Sequence, residues 1–404
     1  MIVNRAERHY IKKAHKNFKV IDDLCFKSKN VYNYANYLIR QKFVETGEII
    51  KRFDMQVIMK DTDCYKALGS NTGQVTIQML DRNWKSFFTA IKDWSENPSK
   101  YYAKPKIPRY LNKNGRYVVG LTNNKFKIVD GYIRFSWKKL YCMNNTFKTR
   151  IPDSAKLMQI RFIPKGNCYV MEVCYQIEAP DCFADSNRVV SIDLGVENFI
   201  TMANNIGEKP IVIKGGVIKS INQYYNKKKS KLQSELKKCN GKDWSNALQK
   251  LTNKRYEMIK YQMHCISKYV IDYCVLHNID TLIVGRNKDW KQENTRKQNF
   301  TYIPYELFQN MLKYKCENNG IKYIEVVESY TSGTSFLDNE EPCKEFYNKK
   351  RRIYRGLFIS NQGITINADV NAAYQIMKKV IPEANVDGIE GVYLHPTIIR
   401  KLVA

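Results

Sequence analysis

No Cys-x-x-Cys pair occurs anywhere in the chain, although it carries eleven cysteines. Structural zinc sites draw their ligands from closely spaced pairs, so the scatter argues against one. An odd, dispersed set in a chain of 404 residues is no disulfide framework either, and no disulfide-linked partner is expected. Most of these cysteines are expected to be small buried hydrophobes. There is no apolar run near the ~18–20 residues a membrane helix needs, and Met1-Ile2-Val3-Asn4-Arg5 has no apolar stretch of signal-peptide type. The expectation is a cytoplasmic protein that touches no membrane. Internal repeats and low-complexity tracts are also absent. Acids are in deficit: 39 Asp+Glu stand against 67 Lys+Arg, a formal net charge of +28.

What is present is globular material. Hydrophobic residues make up 44% and charged residues 26%, and the length suits two or three domains. A cation this large calls for a polyanion, and nucleic acid comes first, because each neutralised phosphate releases counterions. An AT-rich genome, in which Lys and Asn codons are common, is the plainer explanation of the same bias.

Along the chain, residues 1–20 read as a basic start, either strand-like or a short amphipathic segment. Leu24, Val31, Ala35, Leu38 and Ile39 recur near helical spacing, and a second helix is expected over Thr72–Ser95, ended by Asn97-Pro98-Ser99. After the Pro-broken basic linker Lys104–Tyr110 come short strands over about 117–180 with Asn-Gly, Asp-Gly and Lys-Gly turns, the pattern of a small antiparallel barrel. A new domain opens at Arg188. It reads as strands Val189–Asp193, Phe199–Ala203 and Ile211–Ile213, then a long, strongly basic helical region over Ser220–Leu276. Strand Thr281–Gly285, a basic loop over Arg286–Asn299, helix Tyr305–Asn318, strand Lys322–Val327 and a last helix from Asp369 follow. The one-signed charge favours a phosphate-facing surface over a merely solvated helix face.

The order β-β-β-α-β-α-β-α is that of an RNase H-like domain. Such folds cut phosphodiesters with two divalent metals held by carboxylates from separate elements, and oxygen ligands suit Mg²⁺ or Mn²⁺. Asp193 ends the apolar strand Val-Val-Ser-Ile-Asp-Leu-Gly, a costly place for a carboxylate unless a cation binds it. Asp369 begins the last helix, where an N-cap role is the ordinary alternative. Glu328 follows the strand that ends at Val327. Together, in this order, the three are more specific than any one.

These residues sit in a chain that resembles TnpB, the RNA-guided nuclease family of bacterial transposons, related to the compact type V CRISPR effectors. The resemblance is carried by Leu80–Phe88, Lys104-Pro105-Lys106-Ile107-Pro108, Ser191-Ile192-Asp193-Leu194-Gly195, Lys219–Lys227, Asn367–Tyr374, and Asp387–Gly391 with His395-Pro396. It implies a mixed α/β chain with a wedge-type β-barrel (1–20 and 100–182), an inserted helical recognition domain (21–99) and a RuvC nuclease domain (186–404). It also implies a guide RNA, a double-stranded DNA target unwound beside a short motif, and a bacterial cytoplasmic, nucleoid-associated setting. Two departures stand out. The family's usual second acid falls at Gly285, and similar members with Gly-Lys/Arg-Asn there carry a Glu directly before Ser-Tyr-Thr-Ser, which is Glu328 here. Glu325 competes, but an odd offset in a regular strand turns it to the other face. Secondly, only Cys343 remains where many members have a zinc ribbon, so 329–366 is expected to be a zinc-free insertion that binds target nucleic acid.

Catalytic and metal-holding roles are therefore expected of Asp193, Glu328 and Asp369, with two Mg²⁺ or Mn²⁺ ions and no zinc. Nucleic-acid contacts are expected of Tyr32, Tyr34, Arg40, Arg82, Lys104, Lys106, Arg109, Lys227, Lys228, Lys229, Arg255, Lys349, Lys350, Arg351 and Arg352, where aromatics and cations lie close together. Competing readings are a catalytically dead RNA-guided DNA-binding repressor, a compact type V CRISPR effector, and a strand-transfer transposase.

Overall fold

A computed structural model describes residues 2–181, 186–286, 302–354, 356–383 and 395–402. Most of the basic loop 286–299 and the 387–391 segment lie outside the described residues. The chain divides into two compact units, Ile2–Glu178 and Ala179–Ala404.

The N-terminal unit begins with β1 (Ile2–Lys12), followed by α1 (Phe18–Thr46), α2 (Arg52–Met59), α3 (Asp63–Leu68) and α4 (Ser70–Glu96). Strands β2 (Val119–Thr122), β3 (Phe126–Val129), β4 (Tyr132–Phe135), β5 (Lys156–Lys165) and β6 (Cys168–Glu178) complete it. The antiparallel order is β1-β6-β5-β2, with β3-β4 a separate hairpin. The strands expected as a small barrel thus form an open sheet. Strand β2 is one edge, and α4 presses onto it so closely that a Cβ on Gly120 would fall 2.4 Å from Val75 Cγ1. Helix α1 turns Ile21, Leu24, Cys25, Ser28, Val31, Tyr32, Ala35 and Ile39 inward at helical spacing. All of these but Ser28 share one hydrophobic core with strand residues such as Phe162 and Met171. Buried polar groups lock the joint: Ser28 donates to the Val118 carbonyl at 2.8 Å and Trp84 Nε1 to Asn36 at 3.0 Å. Helices α2 and α3 went unread in the sequence because each is under three turns.

The C-terminal unit is built on a six-stranded sheet. Its strands are β7 (Val189–Leu194), β8 (Asn198–Asn204), β9 (Ile211–Lys214), β10 (Thr281–Arg286), β11 (Lys322–Val327) and β15 (Thr397–Ile399), in the order β11-β10-β7-β8-β9-β15. The first three are joined by antiparallel ladders, while β10 pairs parallel to β7 and β11 parallel to β10. Between β9 and β10 the long helical region is two helices, α5 (Gly216–Asn240) and α6 (Asn246–Leu276), because Gly241 adopts φ +65° and ends α5. Helix α7 (Tyr305–Asn318) connects β10 to β11. A small three-stranded sheet, β12 (Arg352–Tyr354), β13 (Leu357–Ile359) and β14 (Thr365–Asn367), leads into α8 (Ala368–Lys378).

Strand alternation divides this sheet between two cores. Val190, Ile192, Leu194, Leu282 and Val284 face one side with residues of α5, α6 and α7. Val189, Ala203 and Ile283 face the other with Phe336, Ile366, Ala373 and Ile376. On that second face the Ser191 hydroxyl donates to the Ala373 carbonyl at 2.7 Å, fastening α8 to the central strand.

Of the ten described cysteines, all free, only Cys25, Cys265, Cys274 and Cys316 are buried, fewer than expected. Cys142 and Cys239 are exposed, in a 3₁₀ turn and at the end of α5. No helix among the described residues is long and apolar enough to cross a membrane.

Candidate active site

Alternation carries two acids to the α8 side of the sheet, and α8 itself brings a third. Asp193 follows Val189 and Ser191 on that face of β7. Glu328 follows Ile324 and Val326 just beyond β11, its backbone N–H donating to the Arg286 carbonyl at 3.2 Å. Asp369 stands in the first turn of α8, behind Asn367, whose side chain caps the helix by accepting from the Asp369 and Val370 N–H groups. The capping role open to Asp369 thus belongs to Asn367, which leaves the Asp369 carboxylate for other partners. Glu325 lies on the opposite face, where it pairs with Arg286 at 3.1 Å and accepts from the Tyr323 hydroxyl.

The tight turn after Asp193 depends on Gly195. A Cβ there would lie 2.3 Å from the Asn198 carbonyl oxygen, and the Gly195 N–H donates to Phe199. The same turn brings Asn198 to Asp369. Asn198 donates to Asp369 Oδ2 at 2.6 Å, Lys214 donates to Asn198 Oδ1 at 2.7 Å, and Arg352 donates to Asp369 Oδ1 at 2.8 Å. These groups line an open cavity of about 300 Å³ beside Gly195.

The acids sense one another. Burial, then the carboxylates of Glu328 and Asp369, hold the Asp193 carboxyl well above the usual range, with Arg352 and the Leu194 N–H opposing. Burial pushes Glu328 up to about 7, against the pull of Lys379. The Lys379 ammonium donates to the carbonyls on either side of Glu328, Val327 at 2.8 Å and Ser329 at 2.6 Å. Tyr305 donates to the Gly195 carbonyl at 2.8 Å, and burial with both carboxylates nearby raises its phenol, so it stays protonated. Asn198, Lys214, Tyr305 and Lys379 had no signal in the sequence, since each is recruited by a contact across 16 to 171 residues or by a strand end.

As the side chains lie, no three His, Cys, Asp or Glu groups among the described residues are drawn together closely enough to hold a metal ion. The donor set still suits a hard divalent cation: the three carboxylates offer oxygen only, and mutual repulsion of this kind is relieved by positive charge. Asp369 is the member turned away, towards Arg352 and Asn198.

The residues expected to meet nucleic acid fall into two groups. Exposed side chains include Tyr34, Arg82, Lys104, Lys106, Arg109, Lys227, Lys228, Lys349 and Lys350, with Lys229 half-buried. The others are engaged within the fold. Tyr32 is 4% exposed and packs on Tyr117, leaving no ring face for a base. Arg40 lies over Tyr110, and Arg255 lies over Tyr225 and Tyr302 at 3.8 and 4.9 Å. Arg351 Nη1 donates to both Glu340 carboxylate oxygens at 2.7 and 2.8 Å, and Arg352 serves Asp369.

Comparison with known proteins agrees with this architecture. A family model described as "Probable transposase" (OrfB_IS605) matches residues 172–291, and one described as "Cas12f1-like, TNB domain" matches 305–376. The chain is 25% identical over 241 residues to a CRISPR-associated endodeoxyribonuclease Cas12f1 of Sulfoacidibacillus thermotolerans, covering 56% of this chain and 54% of that protein. It is 22% identical over 394 residues to a TnpB-like protein, ORF457, of Acidianus two-tailed virus, covering 88% of this chain and 82% of the other. Among solved structures, the Cas12f1–sgRNA–target DNA complex contains a chain of similar fold, with a TM-score of 0.57, 14% identity, and 89% of this chain and 82% of that chain covered. The two matched segments contain the acid-bearing elements, 172–291 holding Asp193 and 305–376 holding Glu328 and Asp369, and over most of its length the mixed α/β chain is similar to a TnpB-like protein.

Proposed function

We propose that the protein is an RNA-guided DNA endonuclease. On this reading the C-terminal unit is an RNase H-like RuvC domain and Asp193, Glu328 and Asp369 hold two Mg²⁺ or Mn²⁺ ions. The observation that carries the proposal is the convergence of these acids on one side of the sheet, where burial first, and then Glu328 and Asp369, raise the Asp193 carboxyl. Closely set, half-buried carboxyls are costly to ionise together, and a divalent cation among them would offset that cost. The relatives support the substrate class: one is named an endodeoxyribonuclease, and the similar solved chain is bound to sgRNA and target DNA.

Bound at the three carboxylates, the metals would activate the attacking water and stabilise the leaving oxygen. The chain's own residues do the positioning. Asn367 caps α8 and fixes where Asp369 stands, Lys379 holds the backbone on both sides of Glu328, and Tyr305 fixes the Gly195 turn that follows Asp193. Arg352 and Lys214 place positive charge in the cavity beside Asp369, where a phosphodiester would approach. In the N-terminal unit, 1–20 with 100–182 would serve as wedge and 21–99 as recognition region, with the exposed Lys104, Lys106 and Arg109 on phosphates. The insertion 329–366 would meet target nucleic acid through Lys349 and Lys350 without zinc.

One observation favours a second reading. Asp369 is already paired with Arg352, as it would be in a binding-only, catalytically dead RNA-guided repressor. A compact type V CRISPR effector would share the chemistry and differ in the source of its guide. The test is to purify the protein with its co-expressed flanking DNA, sequence the bound RNA, and offer a matched duplex with Mg²⁺. Cutting that EDTA stops supports the nuclease. Tight, guide-dependent binding without cutting selects the repressor. RNA encoded by a repeat array selects the CRISPR effector.

A further inference from the structure

Gly285 is the residue of β10 that faces the acid cluster. Thr281, Ile283 and Gly285 alternate onto the α8 side, and the last paired residues, Val284 with Ile192, put Gly285 level with Asp193 one step on. On its other flank Gly285 pairs with Val326 of β11. A side chain at 285 would therefore leave the sheet between Asp193 and Glu328, on the face they share. Its space is taken. A Cβ on Gly285 would lie 2.6 Å from Glu328 Oε1, 2.8 Å from Glu328 Cγ and 2.7 Å from Ile376 Cδ1. Separations below 3.0 Å are ones real Cβ atoms essentially never show. Glu328 enters the cluster through the volume that any larger residue at 285 would fill. No backbone demand explains this glycine: it lies within a regular parallel ladder and is not among the residues with positive φ.

We propose that Gly285 is a positioning residue for Glu328, that the two sites compete for one space, and that an acid transferred to position 285 can replace Glu328 when Glu328 is removed. This rests on the nuclease reading for the identity of the ligand, but its steric part stands apart from that reading. Glycine inside a strand normally costs stability relative to alanine. The structure reverses that sign as long as Glu328 is present.

Two measurements test it on the full chain. The first is a thermal melting cycle, run with Ile376→Val throughout to remove the other close atom. Gly285→Ala should lower the melting temperature with Glu328 in place and raise it in the Glu328→Gly background. The second is Mn²⁺ binding by calorimetry. Glu328→Gly should weaken binding by about 100-fold, and Gly285→Glu combined with Glu328→Gly should recover it to within about tenfold of the native protein. The proposal is overturned if alanine at 285 has the same sign in both backgrounds, or if the double variant binds Mn²⁺ no better than Glu328→Gly. Failure of the nuclease reading looks different: Glu328→Gly alone would leave Mn²⁺ binding unchanged, while the melting cycle would still report on the shared space.

Discussion

Arg352 donates to Asp369 across 2.8 Å, joining the small three-stranded sheet to the acid in the first turn of α8. Asn198 holds the second oxygen of the same carboxylate, so both are engaged before any cation arrives. A cation drawing Asp369 inward must compete with the guanidinium. Half-buried pairs of this kind contribute about 1 kcal/mol, which converts to roughly fivefold in affinity. Arg352→Ala should therefore tighten Mn²⁺ binding by about that factor in calorimetry, and an unchanged or weaker affinity would show that the pair does not restrain Asp369.

The pH dependence of the metal-free protein follows from Glu328. Its carboxyl ionises near 4.5 when unfolded and is pushed up to about 7 in the fold. Between those values the folded state holds the extra proton, so stability falls as pH rises through this window and levels off above it. The loss is about 3 kcal/mol before solvent screening reduces it. Melting from pH 5 to 8 should show this decline in EDTA, Glu328→Gln should make it shallower while Asp193, also raised by burial, keeps a remainder of the same sign, and Mg²⁺ should restore stability mainly at the alkaline end. A melting temperature that rises across the window would contradict the assignment.

Lys379 secures the strand end that carries Glu328 through the Val327 and Ser329 carbonyls. Lys379→Met keeps the aliphatic stem and removes both donors. Cutting of a matched duplex should slow by about tenfold while guide RNA affinity stays level. Equal losses in both would mean that the lysine acts on folding and not on the site.

Much of this arrangement was legible in the sequence because two-residue alternation is a strong constraint. The run Val189–Asp193 reads inside and outside correctly as written, and the odd spacing of Glu325 already sets it apart from Glu328. Residues recruited over long sequence separations were not legible. Asn198 and Arg352 reach Asp369, and Lys214 reaches Asn198, by chain folding that leaves no local period, and β15 joins the edge of the sheet by parallel pairing with β9 after nearly 200 intervening residues. The break at Gly241 is signalled by Asn240-Gly241 and the Asp243–Asn246 stretch, but the basic run on either side of it reads as one helical region. Aromatic–cation neighbours in sequence were an ambiguous signal: the same pairing that suggests base stacking also builds the internal Arg255–Tyr225–Tyr302 stack.

The most direct measurement is the rate at which the guide-loaded protein cuts a matched DNA duplex in Mg²⁺, compared with Glu328→Gln at equal RNA and DNA occupancy. Replacing a carboxylate by an amide of the same shape removes the charge the cations require and leaves packing against Gly285 intact. The expected result is cutting by the native protein and a loss of about 1,000-fold or more in the variant, with target binding unchanged. Cutting by Glu328→Gln at the native rate would contradict the proposed site.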